Sequence, residues 1–230
     1  MNGVQPPSPP PPDSSDTPPP RPTLRTRLID AAEAESAEKG LAGLKARALS
    51  ARAGCALGAI YTHFDDLDAL VLQVNSRTLG RLAAALAPAA RSDLPPETVT
   101  LALADAYAGF ALANRRLWSA LFERAPDRTA LPDWHRHEHV ALMTAIAAPL
   151  MALRPDLPPE AVAIRSRTLF GAVHGVVQLS LQDRLLGLPE PLLRAELAAL
   201  VTALVAGARQ VSEQMVGGEG LTSGHHPLSD

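Results

Sequence analysis

The sequence predicts an all-α protein, and three observations carry the expectation. Apolar residues recur every three or four positions through long segments, the spacing of one helix face. No segment sustains the alternation of a half-buried strand, and only 3% of the residues are aromatic. The breaks between periodic segments fall at glycine and at proline pairs, which stop one helix and open the next.

Length and charge bound what such a chain does. Its 230 residues can hold one domain with a substantial core, or two small ones sharing a helix. The 21 Lys and Arg against 24 Asp and Glu leave a formal charge of −3. Nucleic acid is therefore not attracted to the molecule as a whole, and contact with it needs a local basic patch. A single cysteine excludes an internal disulfide framework and fits a reducing compartment. Charges or prolines interrupt every apolar stretch, and the N-terminus lacks an apolar signal core, so a cytoplasmic protein with no membrane partner is expected. No Ser/His/Asp or Cys/His constellation, phosphate-cradling glycine loop or carboxylate pair points to catalysis, and no cofactor is expected.

Residues 1–22 are rich in proline and nearly devoid of apolar side chains, which predicts a disordered or polyproline II tail. Thr23 suits the N-cap of a first helix whose Leu28, Ala31 and Ala32 form a stripe, with Gly40 stopping it after Lys39. Arg25 and Arg27 near its start either lie beside DNA phosphates or form a solvated face. From Arg47 to Phe64, RALSARAGCALGAIYTHF reads as two short helices joined by a tight turn. The first runs to about Ala53, Gly54 and Cys55 make the turn, and the second carries Gly58 to Phe64. Small Ser50, turn-forming Gly54 and aliphatic Ile60 fall where two such helices cross, and a second helix so presented suits a DNA major groove.

Asp65 or Asp66 caps the next helix, which keeps a helical stripe through Leu67, Leu70, Val71, Val74, Leu79, Leu82 and Leu86 and is expected to end near Pro88. Another helix opens at Pro95–Pro96 and is expected to break near Asn114–Arg115. Further helices start near Pro132, at Pro158–Pro159 (ending at Gly187) and at Pro189. These boundaries predict a helix-turn-helix domain over residues 23–70, a second helical domain over 71–216 and a frayed tail over 217–230.

The residues around the turn carry more than the spacing does. Gly40, Leu44, Arg47, Ala53, Gly54, Gly58, Tyr61, His63, Phe64, Ala69 and Leu70 stand where tetracycline-repressor-like (TetR family) transcriptional regulators have them, and the segment resembles the N-terminal domain of that family. The resemblance implies that Tyr61 and His63 approach phosphates, that Gly58, Ala59 and Thr62 face the groove, and that Arg47 reaches a guanine or a phosphate. Lys45 stands where the family usually has Ser or Thr. Ala56 and Leu57 replace a Ser and a polar or basic residue, and Leu67 replaces a Lys that commonly grips phosphate. Each change removes a hydrogen bond or a charge, and charged hydrogen bonds contribute roughly 1.5–3 kcal/mol apiece, so weakened binding is expected. Lys45 can replace one contact, and Ala56 and Leu57 could touch thymine methyls at an AT-rich site.

A second resemblance covers Ala106–Glu123 and Leu169–Leu179, which are similar to the C-terminal domain of a TetR-family branch named for a Trp-His-Gly signature. Phe170 stands in place of the tryptophan, followed by Val173-His174-Gly175, and Arg115 stands where the branch commonly has proline. At helical spacing, Tyr107, Phe110, Asn114, Trp118, Phe122, Met143, Phe170, His174 and Gln178 are candidates to line an apolar effector pocket; the same residue types also make plain core. His135 and His139 fall at i and i+4, the spacing of zinc ligands, but no HExxH pattern forms. A solvated helix start explains that run as well, and no metal is expected.

Gly171 and Gly175 share a face, and Ala195, Ala198, Ala199, Val201, Leu204 and Val205 extend a broad apolar surface, which predicts a four-helix interface with a second copy. The expected protein is a homodimeric transcriptional regulator, not an enzyme, that represses at a palindromic duplex and is released by a small molecule. One rival is a small-molecule-binding helical dimer with weakened or lost DNA binding. A metal-dependent helical enzyme using His135 and His139 is the other.

Overall fold

The computed structural model describes residues 21–91, 93–123, 132–181 and 187–210. Among them lie nine α-helices and no strand: α1 (Leu24–Lys39), α2 (Ala46–Ala53), α3 (Gly58–Tyr61), α4 (Leu67–Ala90), α5 (Pro96–Ala113), α6 (Arg115–Glu123), α7 (Asp133–Leu153), α8 (Pro159–Leu181) and α9 (Glu190–Gln210). A 3-10 turn, Leu41–Gly43, joins α1 to α2. The proline-rich segment through Pro20, the tail beyond Gln210 and the 182–186 stretch before Gly187 lie outside the described residues.

Local chemistry sets the helix ends. The Thr23 hydroxyl accepts from Thr26 N–H at 3.2 Å, and the Asp66 carboxylate accepts from Ala69 N–H at 2.7 Å, each meeting a donor that the first turn of a helix leaves unpaired. Gly40 ends α1 with φ 69°, and Gly54 ends α2 in the left-handed region at φ 64°, ψ 48°, where a side chain would be strained. Pro96 opens α5 where a missing N–H is harmless.

One expected boundary moves. The helix after the turn is one turn long rather than reaching Phe64: the N–H groups of His63 and Phe64 both bond to Ile60 C=O, at 3.1 and 3.0 Å, and the chain turns there so that Phe64 enters the core. Helix α4 ends near Pro88 as expected, at Ala90; a proline in the last turn removes only one bond, and Arg91 N–H still reaches Ala87 C=O at 3.1 Å.

Two apolar cores result. The smaller joins Leu28, Ala32, Leu49, Ile60, Phe64, Leu70 and Val74 from α1 to the start of α4. The larger gathers the rest of α4 with α5–α9, around Leu82, Tyr107, Trp118, Val177, Leu193 and Val201. The apolar surface expected on the last helix is divided. Val201 and Val205 are buried in the protomer's own core, Leu204 is half-buried, and Ala195, Ala198 and Ala199 are exposed. Apolar on both sides, α9 is by length and composition long enough to cross a membrane, but it is interrupted by Arg194 and Glu196 and packs one face into the core.

Candidate nucleic-acid interface and ligand domain

The turn is held from beneath. Ile60 is fully buried and Phe64 nearly so, which anchors α3 and leaves its other face to solvent. Lys45, Arg47, Ala56, Leu57, Gly58, Tyr61, Thr62 and His63 are all exposed on that side, while Ala59 is half-buried. Tyr61 keeps 53% of its surface and Leu57 45%, both high for large side chains. The Thr62 hydroxyl donates back to Ala59 C=O at 2.8 Å. Arg25, exposed, lays its guanidinium 5.1 Å from the centre of the Phe64 ring.

Arg52, at the end of α2, is drawn inward. Its Nε donates to the buried Glu35 carboxylate at 3.0 Å and its Nη2 to Glu38 at 2.6 Å, while Lys39 Nζ donates to Glu35 at 2.8 Å. The Lys39 hydrogen bond, helped by the Arg52 charge, holds the Glu35 carboxyl below the usual carboxylate range. This cluster ties α2 to α1 beneath the exposed face.

In the larger core the predicted pocket residues separate. Tyr107, Trp118, Phe122, Phe170 and His174 meet as one aromatic cluster, with the His174 ring 4.3 Å from Phe122, 5.1 Å from Trp118 and 5.5 Å from Phe170. The Tyr107 hydroxyl shares a 2.8 Å hydrogen bond with His174 Nδ1. Burial pushes the Tyr107 phenol up, beyond deprotonation; the Trp118 indole lies near enough to oppose that shift but not in hydrogen-bond geometry. Burial also lowers His174, so the ring is held neutral. Trp118 Nε1 and Gln178 Oε1 are buried without a partner.

Three predicted pocket residues do other work. Asn114 closes α5, its Nδ2 donating to Phe110 C=O at 3.0 Å, because it is the non-helical residue between α5 and α6. Phe110 packs against the core edge, and half-buried Met143, about 100° around α7 from core-facing Leu142, is not part of the aromatic cluster. The internal cavity is lined by Leu86, Leu103, Tyr107, Ile146, Phe170 and Val173, among others, and measures only about 40 Å³. A cleft of about 350 Å³ shares Thr100 and Leu169 with it and is walled by Leu150, Arg165, Thr168 and Leu204.

His135 is buried rather than solvated, because Trp134 packs edge-on against it and Glu138 accepts at 3.2 Å from its Nδ1. His139 Nε2 lies 3.3 Å from His135 Nε2, which makes the pair a hydrogen bond. Among the described residues no group of three or more His, Cys, Asp or Glu side chains is placed to hold a metal ion.

Residues 28–74 match the bacterial regulatory proteins of the tetR family, and residues 100–205 match the tetracyclin repressor-like C-terminal domain. The chain belongs to the TetR family. A protein of unknown function from Rhodococcus sp. RHA1 is 26% identical, with a TM-score of 0.68 over 85% of this chain and all of that one. A tetR-family transcriptional regulator from Streptomyces coelicolor (18% identity, TM-score 0.62, 84% of this chain and 85% of that one) shares the fold. So does the TetR-family regulator PfmR from Thermus thermophilus (17%, 0.54, 78% and 97%). A comparison with curated proteins finds no match.

As a TetR-family member the chain is a DNA-binding transcriptional regulator and not an enzyme, and dimer formation is general in the family. Sequence reading passed over one element of this regulator. Arg116 and Leu117 on α6 reach into the DNA-binding half: the Arg116 guanidinium donates to the Ala37 and Glu38 carbonyls at the end of α1, and Leu117 is buried in the smaller core while its neighbour Trp118 fills the larger. Arg77 and Arg81 on α4 add ion pairs to Asp30 and Glu33 of α1. The signal available was the apolar pair Leu117-Trp118, too bulky for two adjacent positions to share one face of a nine-residue helix.

Proposed function

We propose that this TetR-family regulator acts in the cytoplasm as a homodimeric repressor of a palindromic operator, released by a small apolar effector. In this reading residues 23–70 are the DNA-binding unit and 71–216 the effector and dimerisation unit. The observation that carries it is the exposed face of α3, where Tyr61 and His63 stand beside Lys45 and Arg47 over a buried Ile60 and Phe64. Tyr61, His63, Lys45 and Arg47 meet phosphates, while Ala56, Leu57, Gly58, Ala59 and Thr62 lie along the groove.

The bare faces of α8 and α9 support the dimer. Ile164, Thr168, Gly171 and Leu179 form one exposed stripe, and a Cβ added at Gly171 or Gly175 would touch nothing in the protomer. Pairing them with a second copy places two recognition helices one helical turn of DNA apart, about 34 Å.

An effector entering the cleft beside Thr168 and Leu169 must widen the 40 Å³ cavity against Tyr107 and Phe170, since drug-sized pockets span about 300–1,000 Å³. Release then follows from differential affinity for two positions of α6. Selection of duplexes from a random pool, with Tyr61→Ala alongside, tests the reading: a palindrome recovered by the wild type and lost in the variant is expected. No enrichment by folded, dimeric protein would leave a small-molecule-binding dimer that has lost its operator.

A further inference from the structure

The N-terminal half of the recognition segment, Ala56-Leu57-Gly58-Ala59-Ile60, contains no side chain able to make a hydrogen bond. In helix-turn-helix docking that half meets the base edges. Two nearby polar groups are committed elsewhere: Arg52 to Glu35 and Glu38, and the Thr62 hydroxyl to Ala59 C=O. Leu57 is different from its neighbours. It immediately precedes α3, its backbone is already helical at φ −53°, ψ −44°, and nearly half of its large apolar side chain is in solvent. Ile60 fills the core position, so the exposed part of Leu57 is left to solvent in the protomer.

The major groove offers an isobutyl group one apolar partner. Every base edge there presents ring nitrogens, carbonyls or amino groups except for the C5-methyl of thymine. Leucine seated on any other edge would strip water from a donor or acceptor and leave it unpaired. We infer that Leu57 determines operator sequence by packing against a thymine methyl in each half-site. The inference rests on the DNA interface proposed above, and it makes this regulator a reader of methyl position rather than of hydrogen-bond pattern at that base pair.

Deoxyuridine tests it directly, because dU differs from dT only by the missing methyl. The duplex recovered from the random pool is resynthesised with each thymine of the half-site replaced singly by dU, and binding of full-length protein is measured. Burial of one methyl is expected to give about a fourfold loss per half-site, and about fifteenfold when both half-sites are changed. Leu57→Ala should bind the original duplex more weakly and no longer distinguish dT from dU at that position. Because Leu57 is exposed, the variant should melt with the wild type, and the wild-type comparison stands without any variant. Sequence-selective binding with no dT-to-dU difference overturns the inference and leaves the DNA interface intact. A difference that survives unchanged in Leu57→Ala assigns the methyl to another residue and equally overturns it. Absence of any selected sequence, with no salt-dependent duplex binding, overturns both readings.

Discussion

Replacing Leu117 with alanine should loosen the joint between the two halves of the molecule. The side chain is 6% exposed and belongs to the core built by α1–α4, although its own helix belongs to the other half. Truncating a buried leucine costs about 2–5 kcal/mol, depending on how far the surroundings collapse into the gap. Here the surroundings are packed helices of the smaller core, pinned by the Arg116 bonds to the end of α1, so little collapse is available and about 3 kcal/mol is expected. Trp118, fully buried one residue away, gives a fluorescence probe of the larger core once Trp134 is replaced by phenylalanine in both proteins. Urea unfolding at one fixed protein concentration, followed by that fluorescence and by far-ultraviolet circular dichroism, should be a single transition in the parent. In Leu117→Ala the dichroism should begin to change at lower urea than the fluorescence, as α1–α3 come loose first. Coincident transitions displaced by less than about 1 kcal/mol would refute the idea that Leu117 is a structural pin between the cores.

Two further outcomes follow from the described geometry. Gly171→Trp should leave the protomer folded, since nothing lies within 4 Å of an added Cβ, and should convert dimer to monomer in size-exclusion chromatography with light scattering; an unchanged dimer would move the interface off α8. Acid should weaken the fold through His174 and His139, whose folded-state values lie below the ordinary 6.5 because burial disfavours the charged rings; the His135 charge adds to the effect on His139 and Glu138 opposes it. As pH falls below 6.5 the unfolded chain takes up these protons first, so the contribution of the neutral rings is complete above 6.5 and is lost as pH drops through the folded-state values. Urea midpoints at pH 7.5 and 5.5 should differ less in His174→Gln than in the wild type, and equal differences would refute a role for His174.

The helices were legible because their signals are local. Thr23, Gly40, Gly54, Asp66 and Pro96 act on their own turns, and the structure uses each where the sequence places it. The short recognition segment was legible through Ile60 and Phe64, whose burial is dictated by the turn. Its true length was not, because the end of α3 depends on Phe64 diving into a core assembled from distant helices. The C-terminal domain was harder. Aromatic residues at helical spacing do meet around His174, yet Asn114 and Met143 share that spacing and stay out of the cluster, Asn114 closing a helix end and Met143 half-buried on α7. Periodicity identifies a face, and only packing decides which neighbour that face meets. Likewise α9 reads as uniformly apolar, while the fold divides it between the protomer's core and an open side.

The inward tether of Arg52 has a consequence for how many copies of the regulator a cell must keep. Loose attraction to bulk chromosome is almost wholly electrostatic. A chain of net charge −3 that neutralises one of its α2 arginines with Glu35 and Glu38 gives up part of that attraction. Fewer molecules are then sequestered on the vast excess of competing sites, because what governs occupancy is the specificity ratio weighed against their number. The same acidic clamp that holds α2 against α1 thus leaves a larger share of a small pool of regulator off the bulk chromosome.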